Sequence, residues 1–310
     1  MQFEVIILGN NSAFAAHGRN PSAQIVNHNG QYYLIDCAEG TQMQMNLYAI
    51  KRSRIDHIFI SHLHGDHVYG LPGLIHSYTH LSRQTPLHVY GPRGIRQMIE
   101  TTLRFSGSVL SYDLHWHELE GEERRKILDT QHLKVYSFPL QHRVPTYGYL
   151  FVEKPRPLNV RKEAIEEYDL SVEQIKRAKA GKPVTLSDGR EVPPGALTEP
   201  AVAARSYAYC SDTKYDPELV KWIKGVDLLY HEATFLHDLE DKAAQSMHST
   251  AFQAGMIARL AEVRELLLGH FSSRYEDIWA FQAEAQEAFP KVSVAEEGGV
   301  YDIVPIRYME

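Results

Sequence analysis

The chain has 310 residues, of which 44% are hydrophobic and 23% charged, a composition that fits a globular protein with an ample core. The formal net charge of −7 argues against a generic nucleic-acid binder, which would usually be basic. No apolar run approaches the ~20 residues of a membrane span, and MQFEVIILGNNS at the start lacks the basic region of a signal peptide. Cys37 and Cys210 form no C-x-x-C pair, so we expect a reducing compartment, the cytoplasm, and no thiolate metal site.

Short apolar runs separated by turns predict an alternation of strands and helices over the first third of the chain. Residues 24–26 and 31–36 flank Asn29-Gly30, which is the sequence of a tight hairpin turn. Helical spacing of apolar residues predicts helices at 70–82 and 94–106. The other strands predicted in this part are 3–8, 56–61 and 86–92.

The same alternation continues towards the C-terminus. The predicted strands there are 133–140, 148–153, 206–212, 226–232 and 265–270, and the predicted helices are 249–262 and 276–288. Strands that alternate with helices are typical of a layered α/β domain. We therefore expect residues 1–310 to form a single α/β domain.

One segment, residues 153–200, differs from the rest because it is polar and rich in proline and glycine. This composition predicts an insertion or protruding arm that lies outside the main core. Within it, KRAKAGK carries four basic residues and no acid, namely Lys176, Arg177, Lys179 and Lys182. A short charge run is usually a solvated turn, and the alternative is a contact with the phosphate backbone of a nucleic acid.

The stretch SHLHGDH places three histidines and an aspartate within six positions. His62 and His64 lie two apart at a strand end, so their side chains leave the same face. Gly65 permits a tight turn, after which Asp66 and His67 can face a second point in space. The pattern H-x-H-x-D-H can therefore supply two adjacent metals, and imidazole and carboxylate ligands suit Zn²⁺ or Mn²⁺.

Further metal ligands are expected at the ends of other strands. His142 lies two residues after a predicted strand, and Asp212 and His270 are the last residues of two others. A lone histidine at a strand end is more often structural than a ligand, but three such residues beside H-x-H-x-D-H favour a metal site. Asp212 has two carboxylate oxygens and could bridge both metals.

These motifs resemble those of the metallo-β-lactamase fold hydrolases and, more closely, those of the ribonuclease Z family. The similar blocks follow the family's order along most of the chain: LGNNSAF…RNPSAQIV, LIDCAEGTQMQM, SHLHGDHVYGLPGLI, VYGPRGI, HRVPTYGY, CSDT, HEATF, HST and GHFSSRY. H-x-H-x-D-H marks the superfamily, whereas HEATF and HST, together with the inserted arm, mark the ribonuclease Z branch. The departures are modest: Ala38 stands where a glycine is common, and GNNSAF is poorer in glycine than is usual.

The resemblance implies a four-layer αββα sandwich in which residues 153–198 are an inserted arm that binds tRNA. GKPVTLSDGR resembles the far side of that arm. The resemblance also implies two Zn²⁺ per subunit, with Mn²⁺ as the alternative. One ion would be held by His62, His64 and His142, and the other by Asp66, His67 and His270, with Asp212 bridging them.

A two-metal hydrolysis of a phosphodiester is implied by the same resemblance. Two metals ~3.5–4 Å apart activate water at neutral pH and hold the phosphate. Asp66 would orient the water and take its proton, while His248 in HST would protonate the departing oxygen. Glu232 in HEATF would hold His248 in the right tautomer. The alternatives are that Glu232 is a helix cap or a core salt bridge and that His248 is a helix N-terminal residue. His231 is expected to be structural.

The function implied is removal of the 3′ trailer of precursor tRNA, which leaves a 3′-hydroxyl on the tRNA. The arm would bring a local positive charge to the tRNA elbow, which reconciles an RNA substrate with the net charge of −7. A homodimer is implied as well, because in this family the arm of one subunit serves the active site of the other.

Two other functions stay open on the sequence alone. A small-molecule phosphodiesterase or arylsulfatase on the same fold would keep the metal ligands and have no use for a basic arm. A non-catalytic RNA-binding relative would be free to lose ligands such as Asp66. The joint presence of the ligands and the arm favours the tRNA endonuclease.

Overall fold

Strands and helices alternate along most of the chain in the computed structural model, which describes residues 2–199 and 203–304. The strands are β1 Phe3–Gly9, β2 Ala23–His28, β3 Gln31–Ile35, β4 Ile55–Phe59, β5 Leu87–Pro92, β6 Leu114–Leu119, β7 Arg125–Asp129, β8 Leu133–Leu140, β9 Thr146–Glu153, β10 Val184–Thr185, β11 Glu191–Val192, β12 Ser206–Cys210, β13 Leu228–Glu232, β14 Glu265–Gly269, β15 Val292–Val294 and β16 Val300–Asp302. Every predicted strand is present within three residues of its predicted ends.

The α-helices include the four that the apolar spacing predicted. They are α1 Thr41–Leu47, α2 Gly65–Val68, α3 Leu71–His80, α4 Ile95–Phe105, α5 Lys162–Glu167, α6 Val172–Lys179, α7 Pro194–Leu197, α8 Val220–Ile223, α9 Glu240–Ser246, α10 Ala251–Leu260 and α11 Trp279–Gln286. In the described ranges, 2–199 and 203–304, no helix combines the length and the apolar character needed to cross a lipid bilayer.

Two seven-stranded sheets pack face to face and carry helices on their outer faces. Their strand orders are β16-β1-β2-β3-β4-β5-β6 and β15-β14-β13-β12-β9-β8-β7. Apolar and aromatic residues such as Phe59, Phe151 and Tyr207 fill the space between the sheets. Separate apolar clusters join the first sheet to α1–α4 and the second to α8, α10 and α11. This is the four-layer αββα sandwich that the resemblance implied, so the predicted fold class is confirmed.

The turn between β2 and β3 has the predicted chemistry. Asn29 and Gly30 have φ values of 53° and 86°. A two-residue hairpin turn of type I′ needs a positive φ at both central positions, which asparagine and glycine tolerate best. The pair therefore sets the register of the first hairpin.

Strand direction brings distant residues to one edge of the sandwich. Strands β12, β13 and β14 are parallel, and β8 runs the same way because β9 is antiparallel to both β8 and β12. In the other sheet β3, β4 and β5 are parallel. A hydrogen bond of 2.6 Å from Tyr149 Oη to Ile60 O joins the two sheets where β4 ends. The loops that follow these strands therefore face one another.

Residues 153–199 contain α5, α6, α7 and the two-stranded hairpin β10–β11. Their polar composition predicted a segment outside the main core, and seven buried hydrophobic residues form a small separate cluster within it. These are Ala164, Leu170, Ala178, Val184, Leu186, Val192 and Leu197. Helix α6 starts with a capping box between Ser171 and Gln174, which satisfies its first backbone N–H groups.

Candidate metal centre

The loop after β4 carries the first two predicted ligands into the edge between the sheets. His62 is fully buried, and His64 precedes α2 in an extended backbone conformation (φ −68°, ψ 151°). His62 Nε2 lies 3.0 Å from His64 Nδ1. The ring centre of His142, at the end of β8, is 5.3 Å from that of His62 and 5.2 Å from that of His64. One nitrogen from each of the three lies within 4.8 Å of the others.

A second group of three forms beside the first. Asp66 and His67 lie in the first turn of α2, and His270 follows β14. His67 Nε2 is 3.3 Å from His270 Nε2, and both nitrogens are 3.6 Å from Asp66 Oδ2. The backbone N–H of Ala13 donates to the same Asp66 oxygen at 2.7 Å, which fixes the orientation of the carboxylate.

Asp212 lies between the two groups and offers one oxygen to each. Its Oδ1 is 3.8 Å from His62 Nε2 and 4.0 Å from His142 Nε2. Its Oδ2 is 3.1 Å from His67 Nε2 and 3.4 Å from His270 Nε2. The structure therefore brings all seven predicted ligands together in the predicted partition.

The donor set fits a pair of divalent ions. In a tetrahedral zinc site with ligands at 2.0–2.1 Å, donor atoms are about 3.3 Å apart. Separations here run from 3.0 Å between His62 and His64 to 4.0 Å between His142 and Asp212. Each group offers three imidazole or carboxylate donors and one oxygen of Asp212. The fold thus provides two adjacent four-donor sites of the kind that Zn²⁺ prefers.

Hydrogen bonds from outside the ligand set orient four of the imidazoles. Such partners fix the tautomer of a metal-binding histidine and the direction of its ring. Four contacts of Nδ1 atoms do this: His62 with Ser61 Oγ at 3.0 Å, His67 with Asp36 Oδ2 at 2.7 Å, His142 with Met247 O at 3.0 Å and His270 with Thr234 Oγ1 at 2.9 Å.

Asp36 has the largest supporting role among the residues to which the sequence assigned no function. The fully buried carboxylate accepts from Ser61 N at 2.7 Å, from Ser61 Oγ at 2.9 Å and from Tyr209 Oη at 2.7 Å, in addition to its contact with His67. Its position directly after β3, within LIDCAEG, was the signal that could have identified it.

Burial and charge prepare the site for cations. Burial lowers the pKa of His62, His64 and His142, which favours the neutral imidazole that a metal requires. Burial would also lower the pKa of His67, but Asp212, Asp36 and Asp66 outweigh it and raise that pKa well above its ordinary value. The three carboxylates around this buried imidazole therefore make the site electrostatically favourable for cations.

The pair His248 and Glu232 lies beside these groups. His248 Nδ1 is 2.8 Å from Glu232 Oε1 and 3.9 Å from Asp212 Oδ1. Glu232 is fully buried and also accepts the backbone N–H groups of Thr213 and Ser249, at 2.7 and 3.1 Å. Burial lowers the pKa of His248, but the Glu232 carboxylate outweighs it and raises the pKa to about 9. Glu232 thus holds three loops together and favours the protonated form of His248.

The chain is similar to known proteins in both sequence and structure. Proteins named Ribonuclease Z from Bacteroides thetaiotaomicron and Cytophaga hutchinsonii are each 43% identical to the chain, over 96% and 97% of it and 94% and 96% of their own lengths. The chain belongs to the ribonuclease Z family. The crystal structure of the short form of human tRNase Z superposes with a TM-score of 0.72 at 29% identity, covering 97% of this chain and 99% of that one.

Two broader matches accompany the ribonuclease Z relatives. The sequence model of the family described as anti-Pycsar protein Apyc1 matches residues 3–149, just under half of the chain. A metallo-β-lactamase fold protein from Bacillus subtilis has a TM-score of 0.70 at 17% identity, covering 97% of this chain and all of that one, which supports the fold alone. Divalent metal binding is supported by the histidine and aspartate clusters of the site and by the fold shared with human tRNase Z.

The remaining predicted residues lie apart from the metal centre. His231 is buried within β13, and its Nδ1 lies 2.7 Å from the carbonyl oxygen of Glu232. Four exposed basic residues lie on the last turn of α6 and just after it. They are Lys176, Arg177, Lys179 and Lys182.

Proposed function

We propose that this ribonuclease Z family member is an endoribonuclease that removes the 3′ trailer of precursor tRNA by hydrolysis and leaves a 3′-hydroxyl on the tRNA. The observation that carries the proposal is the convergence of seven metal ligands and the His248–Glu232 pair in one cleft. The substrate follows from the relatives, which are named Ribonuclease Z and tRNase Z.

Two Zn²⁺ per subunit are the proposed cofactors, with Mn²⁺ as the alternative. The residues that would hold them are His62, His64 and His142 for one ion, Asp66, His67 and His270 for the other, and Asp212 for both. When bound, the ions supply Lewis acidity that neutralises the phosphodiester and provides a nucleophile at neutral pH.

Two side chains would move the protons. Asp66 would orient the attacking water and accept its proton, because Ala13 N–H already fixes one of its oxygens. His248 donates its Nδ1 proton to Glu232, so its Nε2 proton is available for the ribose 3′-oxygen that departs. His248 keeps 14% of its side chain exposed, which allows a substrate to reach it.

Recognition of the tRNA body is assigned to the arm, residues 153–198. Lys176, Arg177, Lys179 and Lys182 are exposed, and within the described ranges no carboxylate lies within 4.0 Å of their charged groups. Unpaired cations of this kind bind RNA phosphates and release counterions. We further propose that the protein is a homodimer, as the resemblance implies. We also propose a cytoplasmic location, because both buried cysteines are free.

The test is to incubate the metal-loaded protein with a 3′-extended precursor tRNA and to map the cut on a sequencing gel. Asp66→Ala should lose the cut, whereas Asp241→Ala, at an exposed carboxylate on α9, should keep it. A single cut next to the discriminator base is the expected result. Hydrolysis of bis-p-nitrophenyl phosphate with the precursor intact would instead indicate a small-molecule phosphodiesterase.

A further inference from the structure

A second cleft opens beside the metal centre on the side of His142. It has a volume of about 730 Å³, and His142 forms part of its wall together with Arg143, Tyr147, Lys214 and Trp222. None of the last four residues belongs to the metal ligands or to the His248–Glu232 pair. The cleft therefore adjoins the site of hydrolysis but has no role in the steps described above.

Two cations reach this cleft from the ligand-bearing loops. Arg143 directly follows the ligand His142, and Lys214 lies two residues after the ligand Asp212. The backbone N–H of Lys214 donates to Gln141 O at 3.0 Å, which holds the two loops side by side. Each cation is therefore one or two residues from a predicted metal ligand, and the hydrogen bond keeps the two loops together.

Neither cation is neutralised by the protein. Over residues 2–199 and 203–304, no carboxylate lies within 4.0 Å of the charged group of Arg143 or Lys214, whereas Lys221 in the same cleft pairs with Glu218 at 3.7 Å. Asp216, which also lines the cleft, is engaged by the backbone N–H of Glu218 at 3.0 Å.

The three carboxylates that line the cleft equal its three cations in number, but none of them pairs with Arg143 or Lys214. Glu122 belongs to the turn between β6 and β7, Glu218 to the helical turn before α8, and Asp216 lies two residues after Lys214 at the start of that turn. The two cations without a carboxylate partner are therefore on the two loops that hold the candidate metal ligands. An anion next to the reacting phosphate would meet them there.

Size and lining identify the kind of ligand. Pockets of about 300–1,000 Å³ enclose a molecule of drug size, so the volume of this cleft suits one nucleotide unit. Trp222 is half-buried in the wall and has Lys221 Nζ 4.7 Å from its ring centre. Aromatic side chains beside cations are the usual surfaces for unpaired nucleotides.

We propose that this cleft binds an unpaired nucleotide adjacent to the scissile phosphodiester, with Arg143 and Lys214 contacting its backbone phosphate. The inference rests on the proposed function, because it needs an RNA substrate. The nucleotide is either the first of the trailer or the discriminator nucleotide of the tRNA, and both present the same chemistry to the cleft.

The experiment is a cycle of protein and RNA changes. Arg143→Gln and Lys214→Gln are each assayed by single-turnover kinetics on three precursors. One precursor is unmodified, one has a neutral methylphosphonate at the first phosphate on the trailer side, and one has it at the first phosphate on the tRNA side. On unmodified RNA each variant should lower kcat/KM about tenfold, the value of one charge-assisted contact.

On the precursor that lacks the contacted charge, the same substitution should change kcat/KM less than twofold. The precursor on which this happens shows whether the trailer nucleotide or the tRNA nucleotide occupies the cleft. Arg259→Gln, at an exposed arginine on the last turn of α10, is the matched control and should not change any rate. Metal content and thermal midpoint are measured for all variants, and Lys214→Gln remains informative if Arg143→Gln does not fold.

Two results would overturn the proposal. One is an equal loss on all three precursors, and the other is no loss on the unmodified precursor for either variant. Failure of the proposed function looks different, because the unmodified protein would then leave the natural precursor uncut.

Discussion

Several non-glycine residues around the metal centre have left-handed backbone conformations. Asp36, Asp212 and His270 each follow a strand and have φ values of 55°, 58° and 58°, and Ala13, which contacts Asp66, has a φ of 67°. Such conformations are unfavourable for most residues and persist where the surroundings determine them. Here they turn the chain sharply after a strand, so that a carboxylate or imidazole points into the gap between the sheets.

The role of His248 leads to a prediction about leaving groups. His248→Asn should lower kcat on precursor tRNA by about 10²- to 10⁴-fold, because the departing 3′-oxygen no longer receives a proton. The loss on bis-p-nitrophenyl phosphate should be much smaller, since p-nitrophenolate departs without one. Steady-state kinetics on both substrates measure the difference.

His132→Asn is the matched control for that comparison, because His132 is exposed in the turn between β7 and β8. It should leave both rates as they are. If the His248 variant lost both activities because it had lost metal, its metal content would be lower than that of the unmodified protein. An equal loss on the two substrates at full metal content would remove His248 from the role of acid.

The candidate metal ligands could be proposed from the sequence because each is a histidine or an aspartate at or near the end of a predicted strand. Their supporting partners could not. Asp36, Thr234 and Tyr209 are residue types that occur throughout any chain, and only the fold shows that Asp36 meets His67 and that Thr234 meets His270. The sequence therefore pointed to the candidate donors that the fold brings together, but not to the hydrogen bonds that orient them.

At the scale of elements, the four main-sheet strands that the sequence did not predict are the four sheet edges. Strands β6 and β16 end the first sheet, and β7 and β15 end the second. Edge strands bury only part of their surface and carry charges that discourage pairing with other chains. RKILD in β7 and LHWHEL in β6 are mostly half-buried or exposed, so they lack the apolar pattern of the inner strands.

Helix α3 offers a prediction about how the metal loop is positioned. A Cβ added at Gly70, just before α3, would lie 2.0 Å from Ala38 O, whereas one added at Gly73 would have Gln42 Nε2 as its nearest atom, at 3.3 Å. Gly70→Ala should lower the free energy of unfolding by about 1–3 kcal/mol, because backbone must move. Gly73→Ala should be neutral or stabilising by up to about 1 kcal/mol.

Urea unfolding of the two variants checks this pair. Because Gly70 N also donates to Cys37 O at 2.9 Å, a shift there should extend to the loop that begins at Asp36 and weaken metal binding in Gly70→Ala alone. Equal stability of the two variants would contradict the close approach.

An ion-pair network joins the first residues of the arm to Arg205, which lies just before β12. Glu153 accepts from Arg205 Nη2 at 2.7 Å and Nε at 2.9 Å, from Arg156 at 2.8 Å and from His28 at 3.0 Å. Burial would raise the pKa of Glu153, but Arg205, His28 and Arg156 outweigh it and hold that pKa well below its ordinary value. The network therefore stabilises the folded protein while Glu153 is ionised.

The stability conferred by Glu153 should depend on pH. A carboxylate whose pKa is lowered on folding stabilises fully above its unfolded pKa of about 4.3 and progressively less below it. Glu153→Gln should cost about 3 kcal/mol of unfolding free energy at pH 7, because Arg205 loses a buried partner. The difference between variant and unmodified protein should shrink below about pH 4.3. Urea unfolding between pH 7 and 3 measures it, and a constant difference would contradict this account.

At the scale of the whole molecule, we expect the arm to be separable from the sandwich. Glu153 N donates to Arg205 O at 2.8 Å, and Val152 pairs with Ser206. The residues that flank the arm therefore lie next to each other on the adjacent strands β9 and β12. The arm also has an apolar cluster distinct from the three clusters of the sandwich. Removing it should leave the metal centre intact, provided that Glu153, Arg156 and Arg205 are kept.

A variant in which residues 157–203 are replaced by a short Gly-Ser linker should therefore hydrolyse bis-p-nitrophenyl phosphate at nearly the rate of the full chain. Its kcat/KM on precursor tRNA should fall by at least about 10²-fold, because phosphate contacts far from the cut are lost. A second variant keeps the arm but changes Lys176, Arg177, Lys179 and Lys182 to glutamine, which preserves the cluster around Ala178. In that variant the salt dependence of tRNA binding should become shallower, by up to about 0.7–0.9 in log–log slope for each lost phosphate contact. If the armless variant cut precursor tRNA as well as the full chain, recognition would lie in the sandwich itself, and the basic run would be a solvated turn.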